Sequence, residues 1–461
     1  MRIVKVEEVI NSSFLKPGSV IYSAGNAATP QVILGQLARD PAIRDIDLYC
    51  VLPLGDRIAA LYTEERCQGL THRVIFNSRL TKEAVNNGWA KYHPMHLREI
   101  PRTMMNVVKP NIVLCSVAGP DNGGYYSLGT TVEGTLGAIR SAQRQGGLII
   151  AERNRKLPFV VGTTLPEADI DFLVDSDYEL PRSPFREPDD RARRIGEIIA
   201  ALYIHDGSGT EPGSTLQYGI GEVPEAVTDA VLRKGVRNLG IHTELLAGAM
   251  IRLIQSGAVS NRWKPRINFA VSSIFLAESQ AQYDWLHYNS SVQIRPSDYT
   301  NSVFQIAEQP RMVSVNSAIG VDLHGNIWAD SLDARKIYSG VGGQADFIRG
   351  AQYSDGGVAI IALKSTTRAG ISKIVDRSPS GITTTAIPAD QVVLVTEYGA
   401  FDPRGLSLGE RAVGIAHLAA PEERDKLLKV IHDNPAFHKP DLTLHKGIPG
   451  FTPYERAVRS L

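Results

Sequence analysis

The residues best placed for chemistry cluster in the second half of the chain. In TLQYGIGEVPEAVTDAVL, residues 215–232, a short strand runs into Gly219-Ile220-Gly221 and a helix begins near Pro224. Proline suits a first helical turn, because that turn leaves its N–H unpaired anyway. Glycines at a strand-to-helix turn let backbone approach a ligand closely, and the helix end offers free N–H groups to negative charge. The same amides could hold a developing oxyanion. Taken alone, the segment reads first as a tight turn. A single G-x-G is weak, and Pro224 stands where the dinucleotide-binding pattern needs its third glycine.

In NLGIHTELLAGAMIRLI, residues 238–254, Asn238 to Ile241 read as a strand and Leu245 onward as an amphipathic helix. Glu244 falls just beyond the strand's carboxyl end, the edge where open α/β sheets bind ligands. His242 and Thr243 stand beside it as groups able to orient a carboxylate. The plain alternative is an acid in a first helical turn, favoured by the helix dipole. YSGVGGQADFIRGA, residues 338–351, places Gly340, Gly342 and Gly343 before Gln344, either for a close backbone approach or as a flexible loop. Glu397, at a strand end in VTEYGAFDPRG, is a candidate acid or a surface glutamate. SVAGPDNGGYYSLG, residues 116–129, is rich in turn formers and suits a pocket wall.

Strand-like runs at 19–23, 48–52, 111–117, 147–151, 312–315, 358–363 and 392–396 would position these residues. Several are apolar at consecutive rather than alternate positions, as expected of strands covered on both faces of a parallel sheet. Helical patterns lie between them. Val223, Ala226, Val227, Ala230 and Val231 share one helix face. The alternation predicts an α/β fold of mostly parallel sheets. The breaker-rich stretch HDGSGTEPGST, residues 205–215, is the best linker candidate. It divides the chain into a unit over 1–210 and one over 211–434. Residues 435–461 read as an arm along the surface.

Lys+Arg and Asp+Glu both number 49, so no net field draws the chain to nucleic acid or an anionic membrane. The three cysteines have no metal-ligand spacing and an odd count, which suits reduced thiols in a cytoplasm. The first ten residues, MRIVKVEEVI, carry acids where a signal peptide would be apolar. No apolar run approaches the roughly 20 residues that span a bilayer. The reading is therefore cytoplasmic, with no metal site and no membrane or nucleic-acid partner.

Taken together, the segments resemble the family of acetyl-CoA hydrolases and acetate-type CoA-transferases, which includes 4-hydroxybutyrate and butyryl-CoA:acetate enzymes. The likeness spans nearly the whole chain. It rests on SAGNAATP, PDNGGYYSLG and IIAERNRKLP, then on GIGEVPEAV, LGIHTE, SVNSAIGVDLHGNIWADS, YSGVGGQADFIRGA and VLVTEYGAFDPRGLSLGERA. It implies two open, mostly parallel α/β domains, each sugar-phosphate-isomerase-like, with the active site between them. It also implies that Glu244 is the nucleophile, and that Gly219, Ile220, Gly221, Glu222 and Val223 line the CoA site. Ile319, Gly342, Gly343 and Arg368 are expected beside CoA, with Arg368 standing where the family more often has lysine. The chain departs from the family at Glu152-Arg153-Asn154 and over 270–289, which are places for altered acyl specificity.

The implied reaction moves CoA from an acyl-CoA to a free carboxylic acid. Glu244 attacks the thioester, an anhydride forms, and the CoA thiolate then takes the glutamyl carbonyl to give a glutamyl-CoA thioester. Such covalent catalysis is ping-pong. CoA enters as substrate, and no permanently bound cofactor is needed. Acetate, butyrate, 4-hydroxybutyrate, itaconate and succinate are candidate acids, and a homo-oligomer is the default assembly. The alternatives are an acyl-CoA hydrolase on the same scaffold and a non-catalytic CoA-binding protein.

Overall fold

The computed structural model describes residues 1–461 except Ile267, Ala334 and 438–446, together with the side chain of Ser460. Two large sheets organise the chain. The first is wholly parallel, with eight strands in the spatial order Arg2–Ile3, Phe172–Ser176, Leu148–Asn154, Ile112–Val117, Val20–Ser23, Ile46–Val51, Leu70–Phe76 and Lys91–Tyr92. Ile112–Val117 is buried at every position, which explains its unbroken apolar run.

The second sheet has seven strands, in the order Gly240–Ile241, Thr215–Tyr218, Met312–Asn316, Val358–Ala362, Val393–Thr396, Gly399–Phe401 and Phe451–Pro453. Its first five strands are parallel, and the last two join through antiparallel pairings, so that only Gly399–Phe401 runs against the others. The end of the expected surface arm therefore builds an edge strand, while 438–446 lie outside the described residues. In the first sheet the chain enters at the edge strand Arg2–Ile3, crosses to Val20–Ser23 and builds outward to Lys91–Tyr92 before reversing; in the second it steps from Thr215–Tyr218 to the edge strand Gly240–Ile241 before reversing. The reversals fall between Val20–Ser23 and Ile112–Val117, and between Thr215–Tyr218 and Met312–Asn316. Crevices at the carboxyl ends of such strands are where open sheets take ligands.

The two sheets share one interior. A single apolar cluster draws Tyr22, Val117, Val132 and Ile139 together with Tyr218, Ile241, Phe275 and Ile360. The backbone stitches the same seam. Phe275 donates to the Thr130 carbonyl at 2.7 Å, Val132 to Ser273 at 3.1 Å and Ser297 to Glu133 at 3.2 Å. Leu97 donates to Gly342 at 3.2 Å. Among the described residues, no helix is long and apolar enough to cross a membrane.

Candidate active site

Glu244 does not open a helix. Leu245–Ala247 is a short strand paired with Ile274–Leu276, and the helix begins only at Gly248. Glu244 thus sits in a turn between two strands, because the apolar residues Leu245 and Leu246 are used in sheet pairing rather than along a helix face. Its carbonyl accepts from the amides of Ser273 and Ile274 at 3.1 and 3.0 Å and from the Ser272 hydroxyl at 2.8 Å. Three donors on one carbonyl fix the peptide, and with it the direction of the side chain.

The carboxylate is held by Asn301, whose Nδ2 donates to Oε2 at 2.7 Å, and by the backbone amide of Gly343. Both bonds favour the charged form. Burial opposes them and wins, pushing the carboxyl up to about 7. Glu244 forms no ion pair among the described residues. The residue keeps some contact with solvent, yet desolvation dominates its titration. A carboxylate so placed is poorly hydrated and reactive near neutral pH.

Gly343 has to be glycine for reasons of space. A Cβ there would stand 2.0 Å from Glu244 Oε2 and 2.0 Å from Asn301 Nδ2. The expected close approach at the Gly342-Gly343 turn is therefore an approach to Glu244 itself.

His242 and Thr243 do not touch the carboxylate. The buried His242 donates from Nε2 to the Thr300 carbonyl at 2.8 Å, and burial lowers it to about 3, so it is neutral. It thereby holds the peptide that carries Asn301. The Thr243 hydroxyl bonds the carbonyls of Tyr218 at 3.5 Å and Leu245 at 3.1 Å, tying the Glu244 turn to the strand that leads into Gly219.

The Gly219–Val223 loop follows that strand. Gly221 caps the helix Glu222–Lys234 at φ +117°, a region closed to side-chain-bearing residues. The helix begins two residues earlier than Pro224 suggested. Ile220 is exposed. Glu222 meets Arg368 Nη2 at 3.2 Å and also contacts Lys364, which reaches Asp189 at 2.7 Å. Arg368 is thus brought to the glycine loop, with its own side chain 90% exposed. Ile319 is half-buried beyond the strand Met312–Asn316, and its amide donates to Trp328 at 2.8 Å. Among the described residues it makes no hydrogen bond to Glu244 or to the Gly219 loop.

Glu397 is not a surface residue, and among the described residues it makes no hydrogen bond to Glu244. It is buried, and its oxygens accept from the Ser365 amide at 2.9 Å and hydroxyl at 2.8 Å, anchoring the loop that bears Arg368. Sequence reading missed Asn301, Lys364 and Glu133. Asn301 sits in DYTNS, which carries no motif. Lys364 lies four residues before Arg368, in a stretch read for its arginine. A hollow of about 520 Å³ lies elsewhere, lined by Arg98, Arg140, Phe304 and Arg349, and it includes neither glycine loop.

The open α/β scaffold presents a largely desolvated carboxylate against a glycine turn, an arrangement suited to an enzyme active site. The comparisons make this specific. A model of the acetyl-CoA hydrolase/transferase C-terminal domain matches residues 279–431. The 4-hydroxybutyrate coenzyme A transferase of Clostridium kluyveri is 35% identical over 80% of this chain and 83% of its own. The succinyl-CoA:acetate/propanoyl-CoA:succinate CoA transferase of Fasciola hepatica is 33% identical over 91% and 86%. The crystal structure of RipA from Yersinia pestis superposes with a TM-score of 0.83 at 28% identity, covering 94% of this chain and 97% of that one. The chain belongs to the acetyl-CoA hydrolase/transferase family, and it is an enzyme of the CoA-transferase type.

Proposed function

We propose that the protein moves CoA from an acyl-CoA to a free short-chain carboxylic acid through a glutamyl-CoA thioester on Glu244. The observation that supports this most is the carboxylate itself, poorly hydrated, held by Asn301 and the Gly343 amide, and paired with no cation among the described residues.

In the first half-reaction a Glu244 oxygen attacks the thioester carbonyl. The C–S bond breaks, and CoA leaves as thiolate from an acyl-glutamyl anhydride. The thiolate then attacks the glutamyl carbonyl, releasing the first acid as its carboxylate and leaving glutamyl-CoA. An acceptor carboxylate attacks that thioester to give a second anhydride and thiolate. Thiolate attack on the new acyl carbonyl yields the product thioester and restores Glu244. No net proton is consumed. Asn301 Nδ2 and the Gly343 amide are the donors assigned to the oxyanions, and losing one such donor typically costs ~10²–10³ in rate. The Gly219–Val223 loop, Ile319, Lys364 and Arg368 are assigned to CoA, whose remote binding energy can then act at the reacting carbon.

The acceptors proposed are acetate, butyrate, 4-hydroxybutyrate, itaconate or succinate. The working unit is taken as a cytoplasmic homo-oligomer. Catalysis is placed between residues 1–210 and 211–434, with 435–461 as a terminal arm. The test is incubation with an acyl-CoA followed by borohydride and peptide mass spectrometry. Reduction of Glu244 alone is expected, together with loss of transfer in Glu244→Ala. An unmodified Glu244 peptide, or a fully active alanine variant, overturns the reading. Thioester loss that proceeds equally without any acceptor acid identifies a hydrolase instead.

A further inference from the structure

A second carboxyl lies beside the nucleophile. Glu133 is wholly buried, and neither of its oxygens has a hydrogen-bond partner of good geometry. No arginine, lysine or histidine pairs with it among the described residues. Its backbone is part of the seam. The Glu133 carbonyl accepts from Ser297, and the preceding Val132 amide donates to Ser273, the residue whose own amide holds the Glu244 carbonyl. Glu133 also adopts a positive φ of 23°, a strained setting for a residue with a side chain, of a kind that persists when the surroundings over-determine it.

The groups around the Glu133 carboxyl are few. The Tyr22 hydroxyl, on Val20–Ser23, and the Gly25 amide, on the same segment, approach it and favour its charged form, though neither makes a hydrogen bond of good geometry. A Cβ added at Gly25 would stand 3.4 Å from Glu133 Oε1. Cys50, on Ile46–Val51, lies within electrostatic reach, and both Tyr22 and Cys50 are driven upward by burial and so stay neutral. The remaining titratable neighbour is Glu244. Burial first, and then the negative charge of Glu244, push the Glu133 carboxyl up to about 8.

We propose that Glu133 is a positioning residue for the nucleophile: a carboxyl kept in its neutral acid form beside Glu244, so that the site carries one negative charge rather than two. The proposal rests on Glu244 being the nucleophile. An unpaired buried carboxylate is among the most costly groups a protein can hold, and two that share a site cannot both ionise readily. While Glu133 keeps its proton, Glu244 is free to ionise and attack. Once Glu133 loses it, the second charge raises the proton affinity of Glu244. It also repels the incoming acceptor carboxylate and the CoA thiolate. Acylation of Glu244 removes the first charge without moving a proton, so Glu133 can remain neutral through the whole cycle.

The experiment is the pH dependence of CoA release in the first half-reaction, from about pH 6 to about pH 10, for the wild type, Glu133→Gln and Glu133→Ala. The wild type is expected to lose rate above about pH 8, approaching about tenfold per pH unit. Glu133→Gln, which is neutral at every pH, should lose that alkaline limb while falling about two- to tenfold near pH 7. Glu133→Ala should also lose the limb, with a larger fall. An alkaline limb that persists unchanged in Glu133→Gln overturns the proposal. If the glutamine variant does not fold, infrared spectra of Glu244→Gln decide. A protonated carboxyl band that survives at about pH 7 and disappears at alkaline pH supports it, and no such band at pH 7 overturns it. Transfer retained by Glu244→Ala would remove the nucleophile assignment, whereas an unchanged limb in Glu133→Gln removes this inference alone.

Discussion

Asn301 reaches Glu244 across 57 residues of chain, with Nδ2 to Oε2 at 2.7 Å. It does so from the end of the short helix Ser297–Thr300, whose last carbonyl is gripped by His242, two residues before Glu244. Glu244 and its donor are therefore tied together twice, once through side chains and once through this imidazole.

Replacing Asn301 with alanine removes one of the two bonds that favour the charged form of Glu244. A hydrogen bond to a charged group contributes roughly 1.5–3 kcal/mol, or about one to two pH units. The acidic limb of the rate profile, expected near 7 in the wild type, should move upward by that order. The rate at neutral pH should fall about ten- to a hundredfold. Single-turnover CoA release measured against pH checks both.

Gly343→Ala places a methyl group where Glu244 Oε2 and Asn301 Nδ2 now lie. The carboxylate must turn away, so transfer should fall more than about a hundredfold, with melting temperature changed by only a few degrees. A kinetic assay paired with thermal melting checks this. An alanine variant at wild-type rate would show that the contact does not matter for chemistry.

Stability should decline with rising pH because of the two raised carboxyls. Glu133 and Glu244 both bind protons more tightly in the folded than in the unfolded chain, where the reference is 4.5. Their stabilising contribution is complete below about 4.5 and is lost as pH rises, to about 7 for Glu244 and about 8 for Glu133. Glu133→Gln abolishes its share. The variant should therefore gain on the wild type by on the order of 1–4 kcal/mol at about pH 8, and by much less at about pH 5. Urea midpoints at the two pH values test this.

Lys364→Ala frees the carboxylates of Glu222 and Asp189 at the glycine loop. Among the described residues, Glu222 would then keep only the exposed Arg368, and Asp189 only Arg191 at 4.0 Å, and this excess of negative charge would repel a phosphate-bearing ligand. The KM for acyl-CoA should rise about tenfold while kcat changes less, and added salt should narrow the difference, since screening weakens such repulsion. Initial-rate kinetics at low and high ionic strength check this.

The parallel strands were legible in the sequence because burial on both faces writes an unbroken apolar run, as in Ile112–Val117 and Val358–Ala362. Glu244 was legible by its place after a strand. Its turn was misread as a helix start because Leu245 and Leu246 satisfy either pattern, and only the pairing with Ile274–Leu276 decides between them. Asn301 and Glu133 were invisible for a different reason. Each meets Glu244 through space, 57 residues away for Asn301 and across the seam for Glu133, and neither lies in a segment whose local pattern points to that contact. Glu397 shows the converse: a conspicuous position whose carboxylate turns out to anchor Ser365.

The apolar cluster beneath the Glu244 turn is contributed by both sheets. Exchanging one half for that of a relative would therefore graft two mismatched surfaces together. A working chimaera has to import Thr130–Glu133 along with its docking partners at 273–275 and 296–297, or the hybrid will be misaligned at the Glu244 turn.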